Sequence, residues 1–229
     1  MSRLEDLTEM LENPEELDPA LRRYIEEVGE FGPCIRHPLV YSMLHHPAMN
    51  SYVNQQYRAK QAAVDEAYDN NEWSSYIWLH ERPYRCMAFQ EIMEWMNDAT
   101  YWRLLGSIWI DSENIRQNPD EWFDLLQSDR DDREHIMTEE EQADLAAMDA
   151  VIPVYQGHTA SRDDGWSWTT ERATAQWFAK RFASLEKDEP RLSIGTVAKA
   201  DVLAFFSRRN ESEILVDRSK VIITKVVTR

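Results

Sequence analysis

Val151-Ile152-Pro153-Val154-Tyr155-Gln156-Gly157-His158 is the stretch on which the reading of this chain turns. The β-branched and aromatic run up to Tyr155, closed by Gly157, predicts a strand. Gly165-Trp166-Ser167-Trp168-Thr169 predicts a second, short one. Thr170 is a suitable N-cap, with Glu171 in the first turn of a helix that runs to about Leu185. That helix carries Ala173, Trp177, Phe178, Arg181 and Phe182 along one side. Residues 193–200, 202–206, 213–216 and 221–227 are again rich in β-branched or aromatic residues, with a loop over 207–212. Residues 151–229 therefore read as a mixed module with mainly antiparallel strands.

Upstream the periodicity is different. Residues 16–31, 38–69, 86–96 and 101–110 carry apolar residues at helical spacing. In the third segment Met87, Phe89, Ile92, Met93, Trp95 and Met96 nearly surround the helix, which predicts burial. Residues 138–148 read as an acidic helix with a solvated face and with Leu145 and Met148 on the other side. Thr138 and Glu141 have the spacing of a capping box at its start. The expected class is α+β: an acidic, mainly helical region over 1–150, then the module over 151–229.

Charge divides at the same place. The 229 residues hold 42 Asp+Glu against 25 Lys+Arg, a formal charge of −17. Residues 151–229 hold 13 Lys+Arg and 10 Asp+Glu, a net of +3, so residues 1–150 carry −20. An acidic first part repels a nucleic-acid backbone, so direct nucleic-acid binding is not expected. A mildly basic last part suits a small anionic ligand such as a pyrophosphate. Six of the nine Trp lie in the acidic part, more than a solvated spacer needs. It is expected to fold and to pack on the C-terminal module.

Two cysteines, Cys34 and Cys86, exclude a disulfide framework. No apolar run follows Met1-Ser2-Arg3, and no segment approaches the ~20 apolar residues of a membrane span. The expected location is the cytoplasm. His37, His45 and His46 lie near Cys34 but match no zinc spacing, so no metal site is expected. No glycine-rich phosphate loop follows a strand, and no Gly-x-Ser-x-Gly elbow is present.

Three pieces remain, each at the end of a predicted strand: Tyr155-Gln156-Gly157-His158, Ser167-Trp168-Thr169, and Asn210-Glu211-Ser212-Glu213-Ile214-Leu215-Val216. Two carboxylates on one strand face repel each other and disfavour a sheet, unless Arg208 and Arg209 offset them. Together the three pieces resemble the ADP-ribosyltransferase fold, in the branch with an Arg, a Ser-x-Ser/Thr and a Glu-x-Glu signature. Ala175-Gln176-Trp177-Phe178-Ala179 is similar to the helix of that family. The resemblance covers roughly 151–227 and departs from the family at its first piece, where Gln156 stands in place of the usual Arg.

The resemblance implies a glycosyltransferase reaction with NAD as substrate. It is a mono-ADP-ribosyl transfer to a protein acceptor, with arginine among the acceptors, and NAD glycohydrolysis on the side. Glu213 would stabilise an oxocarbenium-like transition state, Glu211 would orient or deprotonate the nucleophile, and Ser167 would fix Glu213. Tyr155, Gln156, Gly157, His158, Trp168 and Thr169 would form the dinucleotide site, with Trp168 or Tyr155 stacking on nicotinamide. His158, Arg162 and Arg181 are candidates to replace the missing charge, and the loop 207–212 would recognise the acceptor. The alternative is a non-catalytic protein that retains the fold and binds a partner through its acidic part.

Overall fold

The structure is a computed structural model that describes residues 14–113, 115–161, 165–209 and 211–228. Arg162 and Asn210 therefore lie outside the described residues, as does Met1-Ser2-Arg3. The chain is α+β, with most of its helix before residue 150. By internal contacts it forms two compact units. The first comprises the chain up to Asn97 together with Asp111–Leu125, the second Asp98–Ile110 together with Leu126 onward. Composition changes at residue 150, whereas packing groups 98–110 and 126–150 with the C-terminal sheet.

The first unit opens with α1 (Pro19–Arg22), capped by the Asp18 side chain, which accepts from the Ala20 N–H at 3.0 Å. Helix does not continue to residue 31 as the spacing predicts. Gly29 and Gly32 take φ of +52° and +82°. That conformation suits glycine and interrupts a helix. The chain instead forms β1 (Ile25–Glu27), β2 (Pro33–His37) and β3 (Val40–Ser42), an antiparallel three-stranded sheet. The expected helix over 38–69 is likewise shortened to α2 (Asn50–Asp69). The buried Asn54 amide ties α2 to the segment before α1. Its Oδ1 accepts from the Asp18 N–H at 2.8 Å, and its Nδ2 donates to the Glu16 carbonyl and the Glu15 carboxylate, each at 2.9 Å.

Next come α3 (Trp73–Leu79) and α4 (Arg85–Ile92), followed by a 3₁₀ turn at Met93–Trp95. Cys86, Ala88, Phe89 and Ile92 are buried, but Met87 and Trp95 are exposed. Burial of α4 is therefore one-sided. Among the described residues no helix is long and apolar enough to cross a membrane.

In the second unit α5 (Asp98–Asp111) buries Tyr101, Trp102, Leu105, Ile108 and Trp109. Gly106 lets it approach the 3₁₀ turn Arg133–Ile136, for a Cβ there would stand 2.2 Å from the Ile136 carbonyl oxygen. The helix α6 (Pro119–Leu126) belongs to the first unit up to Leu125, and α7 (Glu139–Ala147) of the second begins at the capping box that the spacing predicts. The Glu141 N–H donates to Thr138 Oγ1 at 3.2 Å, and the Thr138 N–H donates to Glu141 Oε2 at 2.9 Å. This helix is not simply a solvated acidic face, because Glu141 is only 1 % exposed.

The sheet contains β4 (Val151–His158), β5 (Ser167–Thr169), β6 (Arg191–Ala198), β7 (Ala204–Phe206), β8 (Glu213–Leu215) and β9 (Ile222–Thr228). Its order is β7-β8-β5-β4-β6-β9, with every neighbouring pair antiparallel. Ile152, Val154, Trp168, Val197, Phe205, Ile214 and Val216 form its core, and Leu145 and Met148 of the α7 region pack against them. Between β5 and β6 runs α8 (Arg172–Glu186). Its N-cap is Glu171 rather than Thr170, and Thr169 Oγ1 accepts the Glu171 N–H at 3.0 Å. At Gly157 a Cβ would lie 1.8 Å from the Ala175 carbonyl oxygen. Only glycine allows β4 and α8 to meet this closely.

Candidate active site

Pairing of β5 with β8 sets Thr169 opposite Glu213, Trp168 opposite Ile214 and Ser167 opposite Leu215. Side chains alternate across a strand, so Ser167 and Thr169 share the face of Glu213 while Trp168 points to the other. Ser167 is a diagonal neighbour of Glu213 and within reach of it. Its Oγ donates to Glu213 Oε1 at 2.5 Å. The Trp109 indole N–H donates to the same oxygen at 3.2 Å. Both donors thus hold Oε1, and Oε2 is turned toward Arg209, 3.9 Å from its Nη2.

Glu213 is 6 % exposed. Burial pushes its carboxyl above the ordinary range, while Ser167, Trp109 and Arg209 pull it back and Glu211 adds to the rise. The net direction is upward because desolvation penalises the charged form more than these partners restore. A carboxylate with one oxygen anchored by two donors offers the other as its acceptor.

Glu211 precedes β8 in the loop. Its Oε2 lies 3.2 Å from Arg209 Nη2, and its carbonyl accepts from Thr169 Oγ1 at 2.6 Å. The Thr170 N–H donates to the Ser212 carbonyl at 3.1 Å. Between the two glutamates Ser212 takes φ +45°, left-handed for a residue with a side chain. Such a conformation costs roughly 1 kcal/mol and bends the chain, so simple strand alternation does not relate the two carboxylates. Arg209 offsets both of them, as the sequence allows, and its Nη1 donates to the Ile110 carbonyl at 2.5 Å. Arg208 does something else. Its Nε donates to Glu141 Oε1 at 3.0 Å, and the Ser207 N–H donates to the same oxygen at 3.0 Å.

Ile110, Phe206, Arg208, Arg209, Glu211 and Glu213 line a shallow cleft of about 160 Å³, counted to its open mouth. The cleft is too tight to admit a water-sized sphere, and Arg209 is one of the side chains that line it. Trp109 and Glu141 belong to this arrangement and escape the sequence reading. Trp109 lies in an apolar run that looks like core alone, and Glu141 is accounted for by its cap.

The expected dinucleotide residues fare differently. Trp168 is 1 % exposed in the sheet core, so it is not placed to stack on a ligand ring. Gln156 is buried, and its Nε2 donates to the carbonyls of Gly165 and Ser167 at 3.0 and 3.1 Å. Its Oε1 is buried without a hydrogen-bond partner. The amide therefore braces the approach to β5 and is not turned outward as a phosphate ligand. His158 is buried too, bonded to the Thr159 carbonyl and Ser193 Oγ at 2.8 Å each, so it supplies no exposed charge. Gly157 is covered by α8, and the Thr169 hydroxyl is used on the Glu211 carbonyl. Tyr155 is half-buried in β4, opposite Thr169. Arg181 stacks over Trp177 on the outer side of α8, 5.2 Å from the ring centre.

Among the described residues no group of three or more His, Cys, Asp or Glu is arranged to hold a metal. Cys34 is buried, His37 Nδ1 accepts from the Leu39 N–H, and His46 caps the 3₁₀ turn Pro47–Met49. His45 Nε2 bonds to Asn50 Oδ1 at 2.8 Å. Comparison of the chain with protein-family models, with curated proteins and with solved structures gave no match.

Proposed function

We propose that the chain is a cytoplasmic mono-ADP-ribosyltransferase that moves ADP-ribose from NAD to a protein acceptor, arginine among the acceptors, and hydrolyses NAD when none is present. The observation that carries this reading is the buried Glu213 carboxylate, fixed through Oε1 by Ser167 and Trp109, with Glu211 beside it at a strand entrance. The two buried, free cysteines fit a reducing compartment.

In this reading the bond from the ribose anomeric carbon to the nicotinamide nitrogen breaks, and its electron pair leaves with nicotinamide. Glu213 Oε2 accepts a ribose hydroxyl and stabilises the oxocarbenium-like centre that forms. The acceptor nitrogen bonds to that carbon and loses its proton to Glu211. Ser167 and Trp109 act through Glu213, as positioning residues. The inward use of Gln156, His158, Trp168 and Thr169 means that these side chains support the walls of the site. A substrate must also displace the Arg209 guanidinium from the cleft.

One observation favours a second reading, a non-catalytic protein that keeps this arrangement and binds a partner. Where the family that the sequence resembles carries a charged arginine, Gln156 donates to local backbone carbonyls. Nicotinamide release from NAD, with and without an arginine-like acceptor, separates the two. The transferase reading expects release that Glu213→Gln abolishes. No release together with no NAD binding would leave the partner-binding reading.

A further inference from the structure

We infer that Arg209 is a built-in cap on this site, an autoinhibitory contact whose guanidinium fills the place that any ligand of Glu211 and Glu213 must enter. The inference rests on the functional reading above for what enters, but not for the cap itself. Arg209 reaches three acceptors at once: Glu211 Oε2 at 3.2 Å, Glu213 Oε2 at 3.9 Å and the Ile110 carbonyl at 2.5 Å. Two of these are carboxylate oxygens, and neither is the Glu213 Oε1 that Ser167 and Trp109 hold. The cleft is closed to a water-sized sphere with Arg209 as one of its walls.

The contact is also built to release. The Arg209 side chain is 41 % exposed, so it can be rehydrated as it leaves. An ion pair in that setting holds weakly. The neighbouring Arg208 is anchored by the buried Glu141, so the loop keeps its foothold when Arg209 swings out. Phe206, at the end of β7, and Ile110 remain as apolar walls. A planar fork of donors seated between two carboxylates and a carbonyl is chemically a guanidinium ligand. The ligand that replaces it most directly is another guanidinium, so the protein is its own competitor for an arginine side chain.

The Trp109 indole N–H bonds to Glu213 and reports on the site without turnover. In ¹⁵N-labelled protein its cross-peak is assigned by its loss in Trp109→Phe. Agmatine, which carries a guanidinium and no carboxylate, is titrated into the wild type and into Arg209→Ala. The other indole cross-peaks, staying in place, show that the variant is folded. The cap expects the Trp109 peak to move at about tenfold lower agmatine in Arg209→Ala, the effect of losing two weak ion pairs and one hydrogen bond. Equal midpoints, or movement in neither protein, would overturn it.

Nicotinamide release is measured on the same samples. Faster release by Arg209→Ala supports both the cap and the transferase reading. Release by both proteins at equal rates keeps the transferase reading and overturns the cap. Release by neither rejects the transferase reading, and the agmatine midpoints then decide the cap.

Discussion

Glu141→Gln is a sharp test of how the loop over the site is held. Gln has almost the shape of Glu but one acceptor oxygen in place of two. Both oxygens of Glu141 are in use, and on opposite sides. Oε2 accepts the Thr138 N–H at 2.9 Å, and Oε1 accepts the Ser207 N–H and Arg208 Nε, each at 3.0 Å. Every partner is a donor. Whichever way the amide is turned, its NH₂ therefore faces an N–H. If it faces Thr138, half of the capping box is lost, which costs about 1 kcal/mol. If it faces Ser207, a backbone donor loses a charge-assisted bond, worth about 1.5–3 kcal/mol.

Arg208 adds little to either sum, since its side chain is 36 % exposed. The unmatched donor in a site only 1 % exposed brings the expected loss to roughly 2–3 kcal/mol. The check is the urea midpoint of Glu141→Gln beside Glu141→Ala and the wild type, with Trp fluorescence as the probe. Glu141→Ala, which removes both acceptors, should fall further still. A Glu141→Gln protein within about 0.5 kcal/mol of the wild type, the ordinary range for a surface change, would refute the reasoning.

Other expectations follow from the same geometry. Trp109→Phe removes a donor that favours the charged form of Glu213, so the acid limb of the nicotinamide-release profile should move to higher pH; an unmoved limb would remove Trp109 from the site. Burial raises the Glu213 carboxyl above 4.5, so Glu213 takes away stability as pH rises from the unfolded value through the folded one. Glu213→Gln should then match or exceed the wild type in urea midpoint at pH 7, while releasing no nicotinamide. Gly157→Ala brings a Cβ to 1.8 Å from the Ala175 carbonyl oxygen and should destabilise the second unit by about 1–3 kcal/mol, read as a lower melting temperature. Burial, then Arg23 and His80, push the His37 imidazole down to about 4, so its ring protons should show no titration by NMR between pH 7 and pH 5.

Much of the second unit is legible along the chain, and for stated reasons. The strands after 150 announce themselves by β-branched runs, whereas the contact of Ser167 with Glu213, 46 residues apart, is expected only from the family resemblance. The capping box is legible because its partners are three residues apart. The bond of Trp109 to Glu213 spans 104 residues, and that of Glu141 to Ser207 spans 66. No local pattern encodes contacts at such separations. The first unit is less legible, because residues 16–31 carry apolar residues at helical spacing and yet β1 forms within them. Gln156 matches a ligand position in the resembling family, yet a buried amide beside two backbone carbonyls turns to them first. Trp168 falls to the core face by the same alternation that brings Ser167 to the site.

The tight seat of α8 on Gly157 also limits how this protein can change over time. A helix whose backbone meets a strand with no Cβ between them is rigidly coupled to that strand, so neither can drift to suit a new ligand without losing the other. The loop 207–212 is clasped by Glu141 at its start and by Thr169 and Thr170 at its end, with a short run between the clasps. Variation that alters what the site accepts without disturbing the sheet has that run as its main ground, and Arg209 stands within it. A single substitution there can redraw selectivity while the scaffold is inherited unchanged.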